Sequence, residues 1–214
     1  MSTVQGLSRD DERFTRRLEA FSDIVIGFSL AQLGANLTLT SGGSTFFSHP
    51  LEMAGFLVPF AIICSVWFIH HRLFSYIFVP RTLPVILNFV WLAAVVLLVF
   101  AAEAYMRDTS SASAFRAYFA CYAIVYGLLA VQNVIAMGYA KQRNDELARL
   151  RGLRGAAFMV VWTFPFVWSL AASALLRPGQ NYGMPVMIGF TAAGVASVLL
   201  GRYFKRAAAR LQSA

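Results

Sequence analysis

Charge is scarce in this sequence. Asp, Glu, Lys and Arg make up only 13% of its 214 residues, while 58% are hydrophobic and the mean hydropathy is +0.63. A soluble domain carries about 25% charged and about 45–50% apolar residues. A globule of this length has no core large enough to hide the excess, so the composition argues for an integral membrane protein. Cysteine is nearly absent. Cys64 and Cys121 both lie in apolar runs, which excludes a disulfide scaffold and a cysteine-rich zinc site. A glycine-rich phosphate loop, a G-x-S-x-G nucleophile turn and a T-V-G-Y-G carbonyl filter are all missing, and no internal repeat is found.

What is present is long apolar runs. A membrane-crossing helix needs about 20 mostly apolar residues, and six stretches qualify: approximately 18–39, 51–78, 83–102, 114–140, 156–176 and 184–201. The expectation is an all-α, polytopic protein with a single six-span membrane domain over 1–214. Pro50, Pro80, Pro84, Pro178 and Pro185 sit near span ends, as helix punctuation should. Pro59 and Pro165 are interior and predict kinks in spans two and five. The first 17 residues are polar, so span one reads as a retained helix rather than a secretory signal. The Ser/Gly-rich stretch Thr40–Ser48 reads as a loop, and the basic tail Gly201–Ala214 as an interfacial extension of span six.

Lys and Arg are unevenly spread. The N-terminal arm, the 2–3 and 4–5 connections and the tail hold 15 of the 18, leaving Arg107, Arg116 and Arg177 for the other side. The positive-inside rule reads this as six spans with both termini cytoplasmic. The net charge of +8 is therefore mostly a topology signal that also favours anionic lipid headgroups, and it implies no nucleic-acid partner.

The polar residues inside the spans carry the most information. Ser22 and Asp23 lie early in span one, Asn88 lies one turn inside span three, and His70, His71 and Arg72 close the main apolar run of span two. Under that topology all lie toward the cytoplasmic side at similar depth. A carboxylate in hydrocarbon is costly without partners, so Ser22 and Asp23 are expected to contact His70 or Asn88. Such a network either ties three helices together or acts directly in function. On a helical wheel Arg17, Phe21, Ile24, Phe28, Ala31 and Ala35 share one face, with Gln32 at its edge. Arg17 and Asp23 are about 120° apart and are poor partners. The Phe28 face is left for lipid, another subunit or a pore, and Phe28 is either a constriction or an ordinary packing residue. His70 and His71 diverge by about 100° and lack a third ligand, so no metal or other cofactor is expected. His49, Glu52, Glu103 and Asp108 read as interfacial residues of the outer face.

These residues carry a resemblance. Arg17-Leu-Glu-Ala-Phe21-Ser22-Asp23 fits the R-x-x-x-F-S-D signature of the endosomal/lysosomal potassium channel family, and the chain resembles its bacterial six-helix members. Trp67-Phe-Ile-His70 is similar to the family's W-x-x-H element, and Asn88 has the expected early position in span three. In motifs the resemblance covers spans one to three; in architecture, the whole chain. It implies a homotetramer with span one lining a central pore that has no carbonyl filter. It also implies a polar network of Arg17, Phe21, Ser22, Asp23, Trp67, His70 and Asn88. Bulky apolar side chains farther along span one would form the constriction, giving pore or gate residues Phe28, Ile24, Ala31, Gln32 and Ala35. Where the family commonly continues A-I-x-x-T-L, this chain has Gly27-Phe28-Ser29-Leu30-Ala31-Gln32, which puts Phe28 where a constricting isoleucine usually stands.

The expected function is a passive cation channel, not an enzyme. It would be permeable to potassium ions, with protons as a further permeant, and would lie among membrane lipids in a bacterial inner membrane. The alternatives are a non-conducting membrane scaffold of the same fold, or a transporter.

Overall fold

A computed structural model describes residues 8–41, 50–175 and 183–213. The described residues form six helices: α1 (Arg9–Ser41), α2 (Pro50–Tyr76), α3 (Thr82–Arg107), α4 (Ala112–Gln142), α5 (Glu146–Leu175) and α6 (Gly183–Ser213). All six are long and apolar enough to cross a membrane, and the described residues contain no strand. Residues 42–49, His49 among them, and Arg177 and Pro178 lie outside the described residues, as does the side chain of Glu52.

The helices outrun their apolar segments. α1 has 33 residues, about 50 Å at 1.5 Å per residue, against a hydrocarbon layer of about 30 Å. Its start at Arg9 is fixed by polar chemistry. Ser8 Oγ accepts from the Asp11 amide at 3.1 Å, and Asp10, Asp11 and Glu12 occupy the first turn, where the helix dipole favours acid. α5 likewise begins at Glu146, well before the apolar run that opens at Ala156, because backbone hydrogen bonding continues into the polar layer. The basic tail continues α6 as one helix to Ser213. Pro59 and Pro165 are buried inside continuous helices.

Two connections are closed by specific bonds. Between α3 and α4, Asp108 Oδ1 accepts from the Ser110 amide and hydroxyl, and Ser111 Oγ caps α4 by accepting from the Ala114 amide. Between α4 and α5, Asn144 takes φ 54°, the left-handed conformation that Asn tolerates best after Gly. The amides of Asn144 and Asp145 then reach back to Lys141 and Ala140 carbonyls, and Asp145 Oδ1 caps α5 at the Ala148 amide.

Packing depends on small residues, because lipid offers no hydrophobic drive between helices. α5 lies most extensively on α4, with Ala148, Gly152 and Ala156 buried on the shared face. Gly155 allows that approach with Asn133 in its present place: a Cβ there would sit 2.1 Å from Asn133 Oδ1. The same α4 side builds an aromatic column, Tyr118–Tyr122–Phe166, with Phe190 of α6 set edge-on against Phe166. α3 packs on α4 through fully buried Trp91, whose Nε1 donates to the Val125 carbonyl at 3.2 Å. α1 packs on α3 and α2. Glu103 is buried within the subunit and pairs with Arg107 one turn along α3, whereas Asp108 is exposed.

Candidate functional site

α1 has two unlike faces. Thr15, Leu18, Ser22, Ile26, Ser29 and Leu33 recur at spacings of three and four, and all are buried. The opposite face carries Phe21, Ile24, Phe28, Ala31 and Ala35, all exposed, with Gln32 half-buried at its margin. Ile24 is 68% and Phe28 76% exposed, so neither packs into the subunit's own core.

The buried face holds a hydrogen-bonded chain across three helices. Asn88 Nδ2 of α3 donates to Ser22 Oγ of α1 at 3.1 Å, and the Ser22 hydroxyl donates to the Leu18 carbonyl at 2.8 Å. Asn88 Oδ1 lies 2.8 Å from His70 Nε2 of α2. The amide oxygen can only accept, so the His70 proton sits on Nε2. Ser22, His70 and Asn88 are all fully buried. The His70 ring lies flat on Trp91, with centroids 4.2 Å apart and planes 2° apart.

Asp23 goes elsewhere. Trp67 Nε1 of α2 donates to Asp23 Oδ1 at 2.7 Å. The expectation that Asp23 would contact His70 or Asn88 is corrected on this point, while Ser22 does contact Asn88. Adjacent helical residues diverge by about 100°, so Ser22 is aimed at α3 and Asp23 at α2. His70 and His71 divide in the same way. His71 Nδ1 lies 2.8 Å from Glu19 Oε1, and the His71 ring stacks on Trp67. Glu19 and Asp23 are one turn apart on α1, as are His71 and Trp67 on α2. The two contacts therefore form rungs about 5.4 Å apart between antiparallel helices.

Two of the residues grouped with the network stand outside it. Arg17 is exposed and makes no hydrogen bond or ion pair among the described residues. Phe21 meets Phe89 of α3 edge-on at 5.9 Å and joins no polar contact. Sequence reasoning missed Glu19 and Trp91. Both had a signal in spacing: Glu19 lies four residues before Asp23, and Trp91 three after Asn88, each on the same helical face.

The arrangement is a set of directional contacts between helices. It fixes one side of α1 to α2 and α3 by directional bonds and leaves an apolar stripe on the other side uncovered within the subunit. Residues 17–98 match the family model described as endosomal/lysosomal potassium channel TMEM175. The matched stretch runs from α1 through most of α3 and contains the whole buried chain and both rungs. The match supports the family assignment drawn from the span-one signature and, in general terms, a potassium channel function in an integral membrane protein. No curated protein and no solved structure matches the chain.

Proposed function

We propose that this member of the potassium channel family is a passive cation channel, potassium-permeable and secondarily proton-permeable, formed by four copies around one axis. α1 of each subunit lines the pore. Ile24, Phe28, Ala31 and Ala35 face the axis, with Gln32 at the edge of the lining. The observation that carries this reading is the exposed, apolar Phe28 face on a helix whose other face is bonded to α2 and α3. A ring of four phenylalanines would narrow the path and expel water, and hydrophobic constrictions gate by such dewetting. Selectivity would then come from the width of the opening and from nearby dipoles such as the Gln32 amide.

The Ser22–Asn88–His70 chain and the two rungs serve as the frame that holds α1 at a fixed rotation. The distribution of Lys and Arg supports cytoplasmic termini, and the resemblance to bacterial six-helix members supports a bacterial inner membrane. Reconstitution into potassium-loaded liposomes, with valinomycin to report total trapped potassium, tests the function. A channel releases potassium down its gradient without added substrate, a scaffold releases none, and a transporter saturates.

A further inference from the structure

A crevice of about 340 Å³ opens between α2 and α5, with Asn133 of α4 at its floor. That volume falls within the range of small-molecule sites, roughly 300–1,000 Å³. Its two ends differ. Ser65 and Phe68 of α2 and Phe158 and Met159 of α5 line the inner part, which is almost wholly apolar. Arg72, Arg151 and Arg154 line the end nearer the α4–α5 connection, and all three are exposed. From Ser65 to Tyr76 the α2 wall runs about 16 Å at 1.5 Å per residue.

The three guanidiniums have no counterion among the described residues. None makes an ion pair among the described residues, and no carboxylate lines the crevice. The nearest acids along the chain are already engaged: Asp145 caps α5, and both Glu146 oxygens lie 3.1 Å from Arg149. Aromatic faces hold two of the arginines in place. Arg151 lies over the Tyr76 ring at 4.8 Å, and Arg72 over Phe68 at 5.8 Å. Arg154 also lines a neighbouring hollow with Lys205 and Phe204 of α6, which extends the positive field.

A guanidinium suits a phosphate because its fork matches two oxygens at once. An apolar slot ending in unpaired arginines at the basic end of the bundle calls for a ligand with an anionic phosphate and a hydrocarbon tail. We propose that this crevice is a binding site for one anionic phospholipid. Its phosphate is held by Arg72, Arg151 and Arg154, and an acyl chain lies along Phe68, Phe158 and Met159. Basic pockets between membrane helices bind anionic headgroups by this combination. A free phosphate would leave the apolar walls unused, and a zwitterionic lipid would leave the positive charge unmatched.

Native mass spectrometry of the purified protein in detergent tests this without reference to ion flux. The probes are dioleoylphosphatidylglycerol, dioleoylphosphatidylcholine and inorganic phosphate. The wild-type chain should retain phosphatidylglycerol about tenfold better than phosphatidylcholine. Combined Arg72→Gln, Arg151→Gln and Arg154→Gln should abolish that preference, while combined Arg202→Gln, Lys205→Gln and Arg206→Gln on the α6 tail should largely keep it. Ser65→Phe, which fills the inner slot and leaves every arginine in place, should also weaken retention; with Arg154→Gln alone it carries the test if the triple variant fails to fold. An unchanged preference in the crevice variants overturns the proposal. So do an equal loss in the tail variant, displacement of the lipid by millimolar phosphate, and loss of subunit assembly in the crevice variants, which would make a neighbouring subunit the partner of these arginines.

Discussion

The Trp67 indole donates to the Asp23 carboxylate across 2.7 Å, joining α2 to the middle third of α1. The bond fixes α1 about its own axis, because Asp23 has one direction in which to find a donor. It thereby sets which residues of α1 face away from the subunit. The Glu19–His71 contact, one turn along, acts at the same angle.

Removing the acceptor should therefore damage assembly before it damages permeation. Asp23→Ala and Trp67→Phe should each reduce the yield of assembled protein on size-exclusion chromatography, and Asp23→Asn, which keeps the accepting oxygen, should retain most of it. A double-mutant cycle on thermal stability should give a coupling of about 0.5–3 kcal/mol. A fully assembled Asp23→Ala protein with altered ion preference would instead put the carboxylate in the permeation path.

Asn88 is the hub of the buried chain, since it both accepts from His70 and donates to Ser22. Asn88→Leu leaves the His70 N–H buried without an acceptor, a cost of about 1–3 kcal/mol. Thermal unfolding in detergent should show a lower Tm, and Asn88→Gln should recover little because the longer side chain misplaces both ends. An unchanged Tm for Asn88→Leu would mean the chain contributes nothing to folding.

Gly155→Ala should destabilise the α4–α5 pair. The new methyl would force Asn133 to rotate and break its bond to the Leu129 carbonyl, a cost of about 1–3 kcal/mol for overpacking. Asn133→Ala in the same chain should restore part of the loss. Equal instability with and without Asn133→Ala would show that backbone, not this side chain, sets the limit.

Topology has a direct readout. With Cys64 and Cys121 replaced by serine, a membrane-impermeant thiol reagent added to intact cells should label a cysteine at Ser110 and leave one at Asn144 untouched. The reverse pattern would invert the orientation drawn from Lys and Arg.

Six helices were legible in the sequence because hydrocarbon length and hydropathy are properties of single segments. Helix ends were less so: Ser8 caps the start of α1 and Asp145 the start of α5 in the polar layer, where hydropathy carries no signal. The depth match of Ser22, His70 and Asn88 followed from counting turns. The partner of Asp23 did not, because it depends on the rotation of α2 against α1, which no single-helix pattern contains. Neither Glu19 nor Trp91 stands out in the sequence, since a charge near a span entry and an aromatic inside a span are both ordinary. Their roles arise only when Trp67, His71 and His70 are brought alongside. Arg151 and Arg154 were visible only as part of a one-sided charge count, and Arg72 also as a polar residue closing the apolar run of span two.

Phe28 bears most directly on the account as a whole. Potassium efflux per assembled protein should be measured from liposomes carrying wild type, Phe28→Ala or Phe28→Trp, with valinomycin defining the full signal. If α1 lines the pore through this face, Phe28→Ala raises basal flux, Phe28→Trp suppresses it, and thermal stability changes little, since the side chain is 76% exposed in the subunit. If Phe28→Ala instead lowers stability and leaves flux per assembled protein unchanged, Phe28 is a packing residue and the hydrophobic gate is wrong.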